Sequence, residues 1–314
     1  MKVQIPNELK ADVPQTGWGK ILTATPVVMA VVATMLAGLA SSEMTRAQYD
    51  RSLAAQQQSK AGDQWSFFQA KRLRGAFQRN TAELLQAISE LRPLEPATLR
   101  NWAQGKEAET VLNSAAGQQA LDVLQRGEPP RPGAEQSPDP ALKAALDGLE
   151  NLKPDNEMAV LLAPVSNQAI DQALRAARDR AEAFDTATTP VNKVIDQVDT
   201  LLSRQPAGAA SGPSLHRDFT AARLRYTAQR YEVEARLNQA IANLYELQVR
   251  KSNFSAERHH ARSQRFFFGM LGAQLGVIIS TFSIAARKRN VLWFLAAGAG
   301  VLAIAFAIYV YLYV

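Results

Sequence analysis

Three long apolar runs constrain the fold of this chain more than any other feature of its sequence. They extend from Ile21 to Ala40, from Phe266 to Ala286 and from Val291 to Val314, and none of them contains a charged residue. Each run has the roughly 20 residues that a helix needs to cross a hydrocarbon layer about 30 Å thick. The sequence therefore predicts three transmembrane helices at these positions.

The first apolar run also has features of a signal peptide. Lys20 precedes it, and the small residues of Gly38-Leu39-Ala40 are typical of a cleavage site. The leader formed by residues 1–20 is, however, long for the basic start of a signal peptide. We therefore expect a retained anchor that follows a tail of residues 1–20.

Positive charges near the spans set the expected orientation. Their number is equal on the two sides and favours neither. The turn of residues 287–290 decides, because it is short and mostly basic, and short basic loops stay in the cytoplasm. We expect this turn and the N-terminus in the cytoplasm, with residues 41–265 outside it in the periplasm. The residues compared are Lys2, Lys10, Lys20, Arg287, Lys288 and Arg289 on one side, and Arg46, Arg51, Lys251, Arg258, Arg262 and Arg265 on the other.

Small residues recur at every fourth position in the second and third spans. Such faces let helix backbones approach closely, so we expect these helices to pack as a hairpin or against a partner. No span carries an acidic, basic or histidine residue, whereas an ion or proton path usually needs one within the membrane. The predicted packing residues are Gly272, Gly276 and Ser280 in the second span and Ala299, Ala303 and Ala307 in the third.

Two proline-free stretches of equal length, residues 42–92 and 215–265, lie between the first two spans. We interpret them as an outgoing arm (residues 41–92) and a returning arm (residues 215–265) that pair antiparallel. Equal arms would place Trp65 opposite Ile241. The sequence thus predicts a long, coiled-coil-like helical hairpin.

Apolar residues repeat along both arms with the spacing of a supercoiled seam. We expect the stripe on the outgoing arm to face the returning arm. A second stripe on the returning arm, Leu237, Ile241 and Leu244, needs a further neighbour, which could be another subunit. The outgoing stripe consists of Leu73, Phe77, Leu84, Ile88 and Leu91, and the returning seam of Leu224, Ala228, Tyr231, Ala235, Asn238, Ala242, Tyr245 and Val249.

The segment between the arms, residues 93–214, contains many prolines and glycines. Residues 129–140 and 205–214 are rich in these residues and predict linkers or loops. Between them, one amphipathic stripe runs from Ile170 to Phe184, and another follows Pro190. We expect a small helical insert at the far end of the arms, in an all-α membrane protein.

The residue types that carry chemistry give no catalytic, cofactor or metal site. The chain has no cysteine, which excludes disulfides, thiolate metal sites and cysteine nucleophiles. His259 and His260 are adjacent and would point about 100° apart on a helix, whereas helical metal ligands lie three or four residues apart. No phosphate-binding loop or nucleophile elbow is present. We expect a protein that is not an enzyme and binds no cofactor.

The formal net charge of +6 raises the question of nucleic-acid binding. The tail and the turn carry most of the excess, and residues 41–265 are nearly balanced. They lack the basic stripe that nucleic-acid binding requires, so nucleic acid is not an expected partner. Arg258, Arg262 and Arg265 form a local basic face before the second span, which we expect to contact anionic lipid headgroups.

The segment from Asp63 to Arg72, DQWSFFQAKR, resembles the most recognisable stretch of an uncharacterised bacterial membrane-protein family, domain of unknown function 4337. Members of that family are similar to this chain also in having one N-terminal span, a helical middle and a C-terminal pair of spans with a short basic turn. The resemblance covers residues 18–92 and 215–314, and residues 93–214 depart from it. It implies no activity, substrate or catalytic residue.

Three aromatic residues of this segment, Trp65, Phe67 and Phe68, have two interpretations. In the first, they fill the seam between the arms while the polar residues around them, such as Lys71, face water. In the second, three aromatics are too many for one seam, and part of the set forms a protein contact surface. The sequence leaves both open.

Two functions are compatible with these features. The first is a non-enzymatic protein of the bacterial inner membrane that acts as a structural or accessory subunit of a membrane assembly, with lipids, other subunits or a second copy as partners. The second is a sensor or adaptor whose insert binds a soluble ligand or an envelope component. The second function requires a concave pocket in residues 93–214.

Overall fold

The computed structural model describes residues 17–133, 139–204, 212–285 and 289–313. This part of the chain contains nine α-helices and no β-strand, which confirms the predicted all-α class. Arg287 and Lys288 of the basic turn lie outside the described residues. The helices are α1 (Gly17–Ile88), α2 (Pro96–Ala103), α3 (Glu107–Asn113), α4 (Ala115–Arg126), α5 (Pro140–Glu150), α6 (Asp155–Leu162), α7 (Asn167–Ser203), α8 (Gly212–Ala285) and α9 (Arg289–Tyr313).

Three of these helices, α1, α8 and α9, are long and apolar enough to cross a membrane, as the sequence predicts. The first apolar run and the outgoing arm form one helix, α1, and the returning arm and the second run form another, α8. No proline lies near the junctions at Ala40 and Arg265, so nothing ends either helix there. Pro26 lies inside α1, within an apolar run, where membrane helices tolerate proline.

Contacts divide the chain into two compact units, which are described separately. The membrane unit comprises residues 1–54 and 250–314, and the helical unit comprises residues 55–249. In the membrane unit, apolar side chains of α1, α8 and α9 form one core. Its buried members are Met29, Ala33, Leu36 and Ala40 from α1, Phe266 and Ala273 from α8, and Ala303 and Val310 from α9.

The helical unit has a larger core, to which α2, α3, α4, α7 and the beginning of α8 contribute. Local signals in the sequence begin and end its short helices. The Ser114 hydroxyl accepts a hydrogen bond from the N–H of Gly117 at the start of α4 (3.0 Å), and Gly127 ends that helix with a φ of 71°. These are the expected N-cap and left-handed C-terminal residues. The largest fully buried side chains of this core are Leu99, Leu112, Val191, Val198, Phe219 and Tyr226.

The helix α7 is continuous through Pro190, whereas the sequence predicts two stripes separated at this residue. Proline removes one helical hydrogen bond and crowds the preceding turn. Thr188, which is buried, donates its hydroxyl to the carbonyl of Phe184 (2.9 Å) and adds a bond within that turn. Val191 and Val194 just beyond it are buried, so packing of this face outweighs the cost of the proline.

In the helical unit, α1 and α8 run antiparallel. Lys71 of α1 forms an ion pair with Glu234 of α8. Farther along the chain, the backbone N–H of Arg92 donates to the carboxylate of Asp218 (3.0 Å). As the residue number rises along α1 and just beyond it, the number of the partner in α8 falls, which is the order that antiparallel arms require.

Small residues, and not the large apolar stripe, form the face of α1 that meets α8. Gly75 is buried, and a Cβ added there would lie 3.3 Å from Cβ of Tyr231. Ala61 and Ala82 are buried at seven-residue intervals from it. The prediction that the stripe of large residues faces the returning arm is therefore wrong, because small residues on the other side of α1 allow a closer approach. The exposed fractions are 72% for Leu73, 68% for Phe77, 61% for Leu84 and 71% for Ile88.

Candidate functional site

Glycines of α8 and α9 surround Met29 of α1 in the membrane unit. A Cβ added at Gly276 would clash with Cε of Met29, and one added at Gly300 would clash with its Sδ. The added Cβ of Gly276 would also lie 3.6 Å from the carbonyl oxygen of Ala296. The flexible thioether thus occupies the space that the two glycines leave, and three helices meet closely here.

The six small residues singled out in the sequence occupy different environments. Gly276, Ser280 and Ala303 are buried, and Ala299 and Ala307 are half-buried. The Ser280 hydroxyl donates to the carbonyl of its own helix at Val277 (2.9 Å). Gly272 lies to the side of this face, and a Cβ added to it would have no atom within 4 Å.

The sequence reasoning missed other members of the same face. In α8 the buried positions Phe266, Gly269, Ala273, Gly276 and Ser280 follow alternating steps of three and four residues. The sequence analysis expected a constant spacing of four residues, and positions with this spacing stay on the buried face for only about one turn. A search for small residues with a seven-residue period would have found Gly269, Gly276 and Ser283.

Polar groups join the helices of the membrane unit at both ends of the first span. The Ser263 hydroxyl donates to the carbonyl of Ala40 (2.7 Å), and both residues are buried. Close to them, Nδ1 of His259 lies 2.6 Å from Oε2 of Glu43. At the other end of the span, Nε1 of Trp293 donates to the hydroxyl of Thr25 (2.8 Å). These bonds fix which faces of α1, α8 and α9 meet.

The basic residues before the second span lie at different depths. Arg258 and Arg265 are exposed, and Arg262 is half-buried. Burial and the positive charge of Arg258 lower the pKa of Lys251, which lies about two turns earlier in α8. Arg258, Arg262 and Arg265 still place three guanidinium groups on this stretch of α8, a charge distribution that suits anionic lipid headgroups.

A mainly apolar cavity of about 570 Å³ lies beside α1 and α8 in the membrane unit. Its wall includes Met44, Phe267 and Met270. Its polar lining residues are Ser41, His260, Ser263 and Gln264. Nδ1 of His260 is buried and has no hydrogen-bond partner among the described residues. A cavity of this volume could hold part of an acyl chain or a partner side chain.

The aromatic residues of segment 63–72 are divided between two environments. Trp65 and Phe68 are half-buried, and their rings meet edge to face with centroids 5.4 Å apart. Phe67 is 52% exposed. The guanidinium of Arg72 lies 5.6 Å from the centroid of the Phe68 ring. The set is therefore neither fully buried nor fully exposed, and Phe67 is the member available to a partner.

Lys71 does not face water, although one interpretation of the sequence places it there. Its ammonium group forms an ion pair with Glu234 and lies 5.4 Å from the centroid of the Tyr231 ring. Glu234 also forms an ion pair with Arg230 at 3.6 Å. Because all these charged groups are partly shielded from water, they connect the arms more strongly than an exposed ion pair would.

The helical unit contains a polar cavity of about 590 Å³ between α3, α7 and α8. Both signs of charge line it: the acids Asp185 and Asp196, and the bases Lys193, Arg204 and, from α8, Arg230. Such a mixed lining suits a small polar molecule better than an apolar one. This is a concave site in the insert of the kind that a sensor function requires.

No group of three or more His, Asp or Glu side chains in the described part of the chain is arranged to hold a metal ion. His259 is engaged by Glu43, and His216 lies 3.6 Å from the carboxylate of Asp199. Neither pair belongs to a group of three or more such side chains among the described residues.

Comparison with known proteins points to a family without an assigned function. No curated protein and no solved structure matches the chain. One family model does match, over a region from α1 to the middle of α4, which extends past residue 92 into the insert. Residues 215–314, the C-terminal part of the resemblance drawn from the sequence, lie outside this match. Residues 18–120 match the model of an uncharacterised family, domain of unknown function (DUF4337), which confirms the resemblance drawn from the sequence.

Proposed function

We propose that the chain is a non-enzymatic integral membrane protein that serves as a structural or accessory subunit of a membrane assembly. The observation that carries this proposal is the apolar face of α1 in the helical unit, where Leu73, Phe77, Leu84 and Ile88 are each more than 60% exposed. A row of large exposed apolar side chains along one face of a helix indicates a protein contact site. A partner that covers this face would remove it from water.

The arms supply the framework for this contact. α1 and α8 form a coiled-coil-like hairpin in this proposal, supported by the Lys71–Glu234 ion pair and the close approach at Gly75. One side of α1 is used within the hairpin, and the other remains for a partner. The protein would lie in the bacterial inner membrane, with residues 41–265 in the periplasm.

Native mass spectrometry of gently solubilised membranes tests the proposal. We expect a species heavier than one chain, because the exposed face is covered in the assembly. Leu84→Glu should lower the fraction of this species, whereas Arg79→Glu, a substitution at an exposed position off the stripe, should leave it unchanged. A lone monomer under mild detergent would contradict the proposal.

The cavity between α3, α7 and α8 favours a second function, a sensor or adaptor that binds a small polar ligand. Lys193 and Arg204 line the cavity, and neither forms part of the apolar core. A thermal-shift screen of the full chain in detergent against polar metabolites and soluble envelope fragments tests it. Stabilisation that is lost in a Lys193→Ala, Arg204→Ala double variant would support the function, and no stabilisation by any compound would count against it.

A further inference from the structure

The exposed face of α1 has the pattern of a complete helix-pairing seam. Its positions alternate by three and four residues over the last five turns of the helix, which is the heptad spacing of a coiled coil. All of them are exposed in the described part of the chain. The core positions of the seam are Ala70, Leu73, Phe77, Asn80, Leu84 and Ala87, and we call this set the α1 stripe.

The α1 stripe cannot pack against α8 of the same chain. The opposite side of the helix already does so, through Gly75 and Lys71. On a helix, residues 73 and 75 point about 160° apart, given about 100° per residue. The stripe therefore needs a helix from outside the chain.

Asn80 indicates which helix this is. It is the one strongly polar residue in the stripe, and a polar amide opposite an apolar side chain in a seam would be left without a hydrogen-bond partner. A second copy of the chain supplies an identical amide at the same position, so that each Asn80 can donate to the other. A shift of one heptad would instead place Asn80 opposite Leu73 or Ala87, so the amide favours pairing in register.

We propose that two copies of this chain pair through their α1 stripes, in parallel and in register, with Asn80 facing its own counterpart. This inference rests on the proposed function and names the partner that covers the exposed face. Two copies with the same topology enter the membrane in the same direction, which is why the pair is parallel. An interface of identical surfaces is the common arrangement of homodimers.

The charges beside the stripe are compatible with this pairing. In a parallel pair, the residue before each of Ala70, Phe77 and Leu84 faces the residue five positions later in the other helix. This brings Gln69 to Arg74, Ala76 to Thr81, and Glu83 to Ile88. No pair of like charges is formed. The seam is short, and confinement of both copies to one membrane raises their effective concentration.

Cysteine cross-linking tests the pairing, since the chain has no cysteine of its own. Ala70→Cys and Ala87→Cys each place one thiol in the proposed seam, and Arg79→Cys places one at an exposed position outside it. Each full-length variant is oxidised in native membranes. We expect disulfide-linked dimers from both seam variants, at least tenfold more than from Arg79→Cys, because only facing Cα atoms less than about 7 Å apart can be bridged.

Two outcomes would overturn the pairing. The first is no self-linked dimer from either seam variant, or a yield equal to that of Arg79→Cys. The second is linkage only when an Ala70→Cys copy and an Ala87→Cys copy carrying different tags are mixed, since this would show antiparallel pairing. If native mass spectrometry then still finds the chain with other subunits, the proposed function stands and the self-pairing fails. A lone monomer would contradict both the proposed function and the self-pairing.

A variant series adds a test of the register and of the apolar contact. Asn80→Leu should keep a dimer but relax its register. With Asn80→Leu in both copies, an Ala70→Cys copy should therefore also form a disulfide with a differently tagged Phe77→Cys copy, since position 77 lies one heptad away from position 70. Leu73→Glu with Leu84→Glu should reduce the dimer at least tenfold. Both leucines are mainly exposed, so circular dichroism should show unchanged helix content. Dimer that persists in the double variant would contradict the proposal.

Discussion

At the scale of single residues, two glycines of α1 show what an absent side chain does. A Cβ added at Gly75 would press against Tyr231 and the carbonyl oxygen of Ala228, at 3.3 and 3.4 Å, whereas one added at Gly62 would have no atom within 4 Å. Both glycines carry the same cost in helix propensity. Any difference between equal substitutions at the two positions therefore reports on the contact between α1 and α8.

Gly75→Leu should destabilise the helical unit, and Gly62→Leu should not. We expect the free energy of unfolding to fall by about 1–3 kcal/mol for Gly75→Leu, because the side chain is forced into a packed interface. For Gly62→Leu we expect a gain of up to about 1 kcal/mol from helix propensity. Hydrogen exchange of the α8 amides near Tyr231, in the full chain in detergent, measures both. Equal effects would mean that α1 and α8 do not pack here.

Tyr226 gives the helical unit a dependence on alkaline pH. Burial raises the pKa of this residue from 10.0 to about 12, while Arg230 opposes the shift and Glu234 adds to it. The protonated phenol is therefore favoured in the folded state. Its contribution to stability is complete below pH 10 and is lost as the pH rises from 10 to about 12.

Tyr226→Phe should remove part of this dependence. At neutral pH the variant loses the hydrogen bond that the hydroxyl donates to Asn192 (2.9 Å), at a cost of about 1 kcal/mol. Between pH 10 and 12 its stability should then fall less steeply than that of the natural chain. Denaturant unfolding at several pH values measures the slope. Tyr49→Phe, at a residue that is 69% exposed, is the control, and identical slopes for all three proteins would rule out the role of Tyr226.

At the scale of helices, the sequence predicts existence and length better than it predicts faces. The apolar runs can be recognised in the sequence because they lack charge over the length of a membrane crossing. The arms can be recognised because no proline interrupts them. The faces of α1 are harder, since Leu73 and Phe77 have the spacing of a seam whichever partner they meet. Ala61 and Ala82, which do face α8, also suit any helix by propensity alone, so only the structure assigns them.

Two further differences have local physical causes. Pro190 reads as a helix boundary because proline removes a hydrogen bond, yet burial of Val191 and Val194 keeps α7 continuous. The sequence suggests that Lys71 faces water, because an isolated charge prefers water. In the structure its charge is paired with that of Glu234 on the other arm. Tertiary contacts of this kind join residues far apart in the chain, and no local pattern in one sequence specifies them.

The packing of the three apolar helices gives a prediction at this scale. Gly276→Leu should loosen the membrane unit by about 1–3 kcal/mol, because the new side chain must displace Met29 and approach Ala296. Gly272 lies in the same helix with open space around it, so Gly272→Leu should have little effect on the stability of the membrane unit. The temperature at which each full-length variant loses its helical signal in mild detergent measures the difference. A larger effect at Gly272 would show that a partner, and not α1, covers that side of α8.

At the scale of the whole molecule, the apolar helices leave most of their surface to other contacts. No more than 33% of the apolar window in each of them is buried within the chain. Lipid can cover such surface at no cost, but it cannot cover the exposed stripe of α1, whose neighbours Arg74 and Glu83 are charged. The two kinds of apolar surface therefore call for different partners, and the orientation of the chain decides on which side of the membrane a protein partner would be found.

Single cysteines introduced at Ser211 and Asn290 test that orientation. In the proposed orientation, Asn290 of the short basic turn lies in the cytoplasm and residues 41–265 lie in the periplasm, since positive residues in short loops are retained on the cytoplasmic side. A membrane-impermeant thiol reagent added to intact cells should therefore label Ser211→Cys and leave Asn290→Cys unlabelled until the membrane is permeabilised. The natural chain, which has no cysteine, is the blank. Labelling of Asn290→Cys in intact cells, with protection of Ser211→Cys, would reverse the orientation and place the α1 stripe among cytoplasmic partners.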